Sequence, residues 1–275
     1  MIESLWQTGR YVTRLNTLHT KPTVGVHRAL VQWSDGEVRD SHVKIVFADP
    51  ELPYRHLVHE AVGWLVARAL GLPVPPLAGF LILDASQVAA AHPTRPRGGQ
   101  TLAWVTSTEP ESALQITDQM QRDAHLLKEL RAWRHLSAAC AFDESLGNND
   151  RYPRNLLRVG DGQFTLIDHD NIAGGSHWLA DALVDARWDL FLNVLRERCA
   201  PARGAPPCPE RAFNNDMVGH SERHDAAVRD SANMLLQWIT ALLDDKTDAW
   251  ALVIFIASRA QLAPALIRKR YGLLM

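Results

Sequence analysis

Three polar residues in the middle of the chain have the types and spacing of a site that binds metal and moves a proton. Asp150 is followed five positions later by Asn155, and Asp168 stands thirteen positions beyond that. The intervening Leu156–Ile167 reads as two short strands joined around Gly160-Asp161-Gly162. A tight hairpin brings its ends together, so the spacing predicts Asn155 and Asp168 side by side. Two oxygen ligands so arranged can hold Mg²⁺ on a nucleotide's phosphates, and Asp150 is placed to meet an attacking hydroxyl. The set points to phosphoryl transfer from ATP.

That chemistry also needs a cation on the phosphates and a loop to cover them. Lys44 fits the first role, within the apolar run Val43-Lys44-Ile45-Val46-Phe47. Glu60, sixteen residues on, lies in a helical stretch and can pair with it; both could instead be ordinary polar-face residues. The covering loop has only Gly25 to offer, with backbone amides around Thr23–His27, and neither a Walker sequence nor a GxGxxG precedes a helix. Thr101–Thr106 is a candidate for offering backbone groups to adenine, or an ordinary core strand. Arg151 and Arg154 could contact phosphate or solvate their loop. His169 reads as packed, Asp170 as assisting the metal or structuring its loop, and His56 and His59 as surface residues.

These residues require a strand-rich first part and a helical second one. Ala29–Trp33 and Val38–Phe47 read as strands around the Ser34-Asp35-Gly36 turn, and Tyr54–Leu70 as a helix stopped by Gly71 and Pro73. Gly79–Leu83 and Thr101–Thr106 are further strands, with a loop over Ala91–Gln100 and a break at Thr108-Glu109-Pro110. Helical spacing predicts helices over Met120–Phe142, Trp178–Arg198, Ala226–Leu243, Ala249–Ala260 and Pro264–Tyr271, with a loop over Cys199–Arg211. The expected architecture is α+β and two-lobed, like a protein kinase: a nucleotide-covering lobe over 1–108 and a helical lobe over 109–275 carrying the catalytic and metal loops.

Composition is compatible with that plan. With 275 residues, 47% hydrophobic and 22% charged, the chain can bury a substantial core. A net charge of −2 argues against nucleic acid as the main partner. Cys140, Cys199 and Cys208 are too few and scattered for a disulfide framework or a zinc site, and Cys140 reads as core. Met1–Trp6 lacks the features of a signal peptide, and no apolar run approaches 18 residues, Ala249–Ser258 being too short. The expectation is a cytoplasmic protein without membrane contact.

The segment Gly147-Asn148-Asn149-Asp150-Arg151-(x)3-Asn155 resembles the catalytic loop of HipA-like serine/threonine kinases. It is also similar to the Asp-Arg-His-x-x-Asn loop of phosphatidylinositol 3-/4-kinases, with Tyr152 in place of the His. Leu166-Ile167-Asp168-His169-Asp170 looks like the metal-binding segment of small HipA-like proteins. Upstream, Lys44, Glu60 and Leu70-Gly71-Leu72-Pro73-Val74-Pro75 follow the same family's order. The resemblance covers about Gly25 to Asp170. It implies that Asp150 orients or deprotonates the acceptor, Asn155 and Asp168 coordinate Mg²⁺, and Lys44 holds ATP phosphates. It further implies a protein Ser/Thr hydroxyl as acceptor, with a role as a growth-arresting toxin or an effector, and an antitoxin partner. A small-molecule kinase of aminoglycoside or choline type shares the Asp-(x)4-Asn and Ile-Asp elements but usually carries His-Gly before the aspartate, where this chain has Asn148-Asn149. A nucleotide-binding pseudokinase scaffold is the reading from a different class, favoured by the poor glycine loop. A lipid kinase lacks support in any basic or amphipathic membrane-facing segment.

Overall fold

The computed structural model describes residues 9–20, 23–47, 53–95, 98–108, 113–199 and 209–273. Met1–Trp6, Cys208, Glu109-Pro110 and most of the loop expected over Cys199–Arg211 lie outside them. The chain divides into two compact units, Met1–Ala61 with Pro75–Glu111, and Val62–Val74 with Ser112–Met275. The class is α+β, with an antiparallel sheet in the N-terminal region and helices dominating the C-terminal part.

In the N-terminal region, strands β1 (Gly9–Thr20), β2 (Val24–Trp33) and β3 (Val38–Val46) are followed by helix α1 (Pro53–Ala69), whose residues from Val62 onward belong to the second unit, and then by strand β4 (Ala78–Leu83), helix α2 (Ala85–Ala91) and strand β5 (Thr101–Ser107). The sheet order is β1-β2-β3-β5-β4, all antiparallel. The β2–β3 turn forms at the expected tripeptide: Gly36 has φ +85°, and its N–H donates to the Trp33 carbonyl at 2.8 Å. Ala29, Val31, Val43, Ile45, Leu81, Leu83, Ala103 and Val105 alternate onto one sheet face, where Val88 of α2 joins them in the core. β1 went unread, as did α2, whose start is fixed by an Asp84–Gln87 capping box.

α1 ends where its sequence says. Gly71 has φ +71°, and the Leu72 N–H reaches back to the Ala67 carbonyl at 3.0 Å. Residues 57–67 are buried on every side, and His59 is fully buried, which corrects its expected place at the surface.

The second unit contains strand β6 (Leu114–Gln115), helices α3 (Ala124–Ala132) and α4 (Leu136–Leu146), strands β7 (Leu156–Gly160) and β8 (Gln163–Leu166), and helices α5 (Ala180–Asp185), α6 (Val194–Cys199), α7 (Pro209–Ser221), α8 (His224–Asp230), α9 (Ala232–Leu242) and α10 (Lys246–Tyr271). Several helix expectations are corrected. The run over Met120–Phe142 breaks at Trp133, whose ring packs edge-on against Phe164 at 5.7 Å. The run over Trp178–Arg198 is helical only in short pieces, because Arg259 of α10 holds the carbonyls of Arg187 and Asp189 at 3.2 and 2.8 Å. α10 is one helix through Pro264. Its buried Ala260, Ala263, Leu266 and Ile267 supply packing that offsets the proline's penalty of about 3 kcal/mol. By length and composition α10 is also apolar enough to cross a membrane, which corrects the expectation of no such run; half of its most apolar stretch is buried within the protein.

Candidate functional site

The loop that carries Asp150 starts where α4 stops. Gly147 takes the left-handed conformation (φ +62°), and the next N–H, of Asn148, returns to the Asp143 carbonyl at 2.9 Å. The two asparagines that follow build the loop. Asn148 Oδ1 accepts from the Asp150 N–H at 3.1 Å, its Nδ2 donates to Asp143 Oδ1 at 2.9 Å, and Asn149 Nδ2 donates to the Gly174 carbonyl at 3.2 Å. Phe191 fills the space beside Gly147 and Gly174: a Cβ on either would lie within 2.9 and 2.7 Å of its ring. Asp150 is thereby fixed at the backbone, while its carboxylate accepts from Arg154 Nη2 at 3.1 Å. Arg154 in turn stacks over the Tyr152 ring at 4.2 Å and is an ion-pair partner of the candidate base.

The predicted hairpin is present. Leu156 pairs with Leu166, Leu157 with Thr165 and Arg158 with Phe164, and Gly162 turns the chain with φ +64°. The Ile167 N–H donates to the Asn155 carbonyl at 3.1 Å, so the structure brings Asn155 and the start of the Asp168 segment together at the hairpin's open end. Asn155 donates its amide nitrogen to the Asp150 carbonyl at 2.6 Å, so Oδ1 is the atom it could offer a metal. Asp168 has φ +60°, a conformation that costs a residue with a Cβ about 1–2 kcal/mol and recurs at functional sites.

Arg151, expected at phosphate or in solvent, is fully buried. Its Nε faces Asp143 Oδ1 at 3.3 Å; Nη1 donates to the carbonyls of Asn155 (3.4 Å), Ile167 and Asp168 (3.1 Å); Nη2 meets His169 Nδ1 at 2.8 Å. His169 is packed, edge-on to Phe142 at 5.8 Å and against the helix backbone at Gly63, where a Cβ would lie 2.3 Å from its own. Sequence reasoning missed Asp143 and Gly63. The available signal was an acidic pair, Asp143-Glu144, inside the apolar stretch Leu136–Leu146, since such residues are almost never fully buried unless partnered.

Electrostatics single out Asp150. Burial raises its pKa, Arg154 opposes this, and the nearby carboxylates of Asp168 and Asp170 raise it further. Burial likewise pushes Asp143 up to about 6 despite its Arg151 partner. Within this unit, then, the carboxylates of Asp168 and Asp170 act on that of Asp150, and Asn155, bonded to Asp150, adds an amide oxygen to the set. All are hard oxygen donors, and the mutual repulsion of the carboxylates is what a divalent cation relieves; the set fits Mg²⁺ and not a soft metal.

In the first unit, Lys44 and Glu60 meet as the spacing suggested, with Nζ 2.6 Å from Oε1. Lys44 lies on β3 opposite Trp104 of β5, on the face away from Val43 and Ile45. Gly25 does not belong to a loop, and this corrects the phosphate-loop expectation. It sits in β2, opposite Thr20 of β1 and Ile45 of β3, so its backbone belongs to the ladder. Its lack of a side chain serves packing, since a Cβ would lie 2.6 Å from both His92 and Phe47. Thr101–Thr106 lies in β5, paired along its length with β4 and from Trp104 onward with β3.

No protein-family model matches the chain, and no curated protein does. Among solved structures the chain is similar to that of a Stt7 homolog from Micromonas algae soaked with ATP. The identity is 17% and the TM-score 0.42, over 95% of this chain and 90% of that one. At that level the similarity assigns no activity here, and the site must be judged on its own residues.

Proposed function

We propose that this protein is an ATP- and Mg²⁺-dependent phosphotransferase of the kinase type, resembling HipA-like kinases and acting on a protein Ser or Thr hydroxyl. One observation carries the reading: a hairpin joins Asn155 to the Asp168 segment, and Asp150 stands five residues ahead with its carboxylate in the field of Asp168 and Asp170. In this reading Asp150 accepts the acceptor's proton, its raised pKa suiting a base that must hold and release one. Asn155 and Asp168 hold Mg²⁺, which when bound neutralises charge on the transferring phosphoryl oxygens. Lys44, kept extended by Glu60, binds the nucleotide's phosphates. Arg154 holds Asp150 in place until an acceptor arrives. The Asn148-Asn149 pair before the aspartate supports a protein acceptor over a small alcohol.

The test is transfer of labelled γ-phosphate with Mg²⁺, offering a protein extract, small alcohols and aminoglycosides side by side. Wild-type protein should label protein hydroxyls, and Asp150→Asn and Asp168→Asn should not. Labelling of aminoglycosides alone would move the acceptor class. Stabilisation by ATP with no transfer to any acceptor would leave a nucleotide-binding scaffold. No thermal shift with ATP and Mg²⁺ would end the kinase reading altogether.

A further inference from the structure

Asn155 ends a single 3-10 turn, Pro153–Asn155, and Asp168 lies beyond the end of its strand. The hairpin ladder ends at Leu156–Leu166, followed by the Ile167 N–H to the Asn155 carbonyl. Beyond it the chain turns left-handed at Asp168, and the carbonyls of Ile167 and Asp168 need donors. Arg151 Nη1 serves both of them, and the Asn155 carbonyl across the hairpin as well. The fork is aimed from its other side: Asp143 Oδ1 takes Nε, and Asn148 Nδ2 holds that same Asp143 oxygen. The adjacent Nη2 meets His169 Nδ1, which anchors the residue after Asp168. Only a planar group with several fixed donors can reach three carbonyls and a ring nitrogen at once.

We infer that Arg151 is a positioning residue, whose guanidinium holds Asp168 in its left-handed conformation and ties it to Asn155, so that the two metal ligands keep one spacing. The inference rests on the metal assignment proposed above. It assigns Arg151 no contact with nucleotide or acceptor and makes the conformation of Asp168 depend on a side chain seventeen residues earlier.

The test is ADP binding by calorimetry, once in EDTA and once with MnCl₂, the ratio of the two Kd values giving the coupling of metal to nucleotide. Arg151→Lys keeps a cation against Asp143 but cannot reach all of the carbonyls. It should lower the coupling about tenfold to a hundredfold, as losses of groups that orient metal ligands do, with the Kd in EDTA unchanged. If this variant does not fold, the paired Asp143→Leu/Arg151→Met variant leaves no lone charge buried and is held to the same criterion. Unchanged coupling in a folded variant overturns the inference, as does equal weakening of both Kd values, which marks a merely structural role. Wild-type protein with no Mn²⁺ effect on ADP would overturn the metal assignment itself, and the inference with it.

Discussion

Replacing Lys44 by Met should cost far more stability than replacing Lys44 and Glu60 together. Lys44 Nζ lies 2.6 Å from Glu60 Oε1, with side-chain exposures of 12% and 3%. At that distance and an effective dielectric constant of about 20, the Coulomb attraction is about 6 kcal/mol. Removing each ion from water costs several kcal/mol, so the pair's net contribution is near zero. Removing one partner is different, because the other ion loses this counter-charge in a buried place, at about 3–5 kcal/mol. Lys44→Met and Glu60→Leu should each lose that much by urea unfolding, whereas the double variant should return to within about 2 kcal/mol of wild type. Nucleotide binding should not recover with stability. Charge-assisted hydrogen bonds contribute about 1.5–3 kcal/mol, so the folded double variant should bind ADP roughly tenfold to a hundredfold more weakly. Additive losses in the double variant would show that the pair is not coupled as its geometry requires. Wild-type ADP affinity in that variant would remove Lys44 from the site.

Asp150→Asn should lower kcat about 10²–10⁴-fold with ADP affinity unchanged, measured by steady-state transfer and calorimetry. Gly63→Ala sets two effects of opposite sign against each other. Alanine gains about 1 kcal/mol of helix propensity, but its Cβ would lie 2.3 Å from that of His169, and overpacking costs about 1–3 kcal/mol; thermal unfolding should show a net loss, and a gain would refute the packing. Burial, with His92 and Arg14 nearby, holds His27 down to about 4 from an ordinary 6.5. The unfolded chain therefore binds more protons, and the stability from a neutral His27 is complete above about 6.5 and lost as pH falls toward 4. Between pH 7.5 and pH 5 the loss is about 2 kcal/mol in urea unfolding, and His27→Gln should flatten that dependence.

The parts of the fold legible in the sequence are those where local chemistry and tertiary packing agree. The Ser34-Asp35-Gly36 turn, the Gly71 stop and the Asp161-Gly162 reversal each use a glycine at positive φ. β1 was hidden by its own irregularity. Its apolar residues Val12, Leu15 and Leu18 recur every third position, which suits neither strand nor helix, and they are the residues that the β1–β2 register skips at its three shifts. The break at Trp133 was hidden because no Gly or Pro marks it, and packing on Phe164 decides it. In the candidate site, the identities and hairpin placement of Asp150, Asn155 and Asp168 could be read. The work of Arg151 could not, since spacing says nothing about which way a side chain turns.

The buried arginines make a common physical case. Arg151 serves the carbonyls around the candidate metal residues, and Arg259 serves those of Glu144, Ser145, Arg187 and Asp189, closing the end of α4 while holding the strap that follows α5. Arg270, half-buried, likewise serves Phe191, whose ring fills the space beside Gly147 and Gly174. These carbonyls lie in the last turn of a helix or on chain beyond an element's end, where the regular ladder runs out. Loops that carry chemistry need such irregular backbone, and a side chain with five donors and no acceptor satisfies it with the fewest buried groups. An arginine inside an apolar stretch, such as Arg259 within Ala249–Leu266, is therefore better read as a donor to irregular backbone than as an interruption of the stretch. The same reading applied to Arg151 makes its charge a means of fixing the loop, which leaves Lys44 as the cation proposed for phosphate.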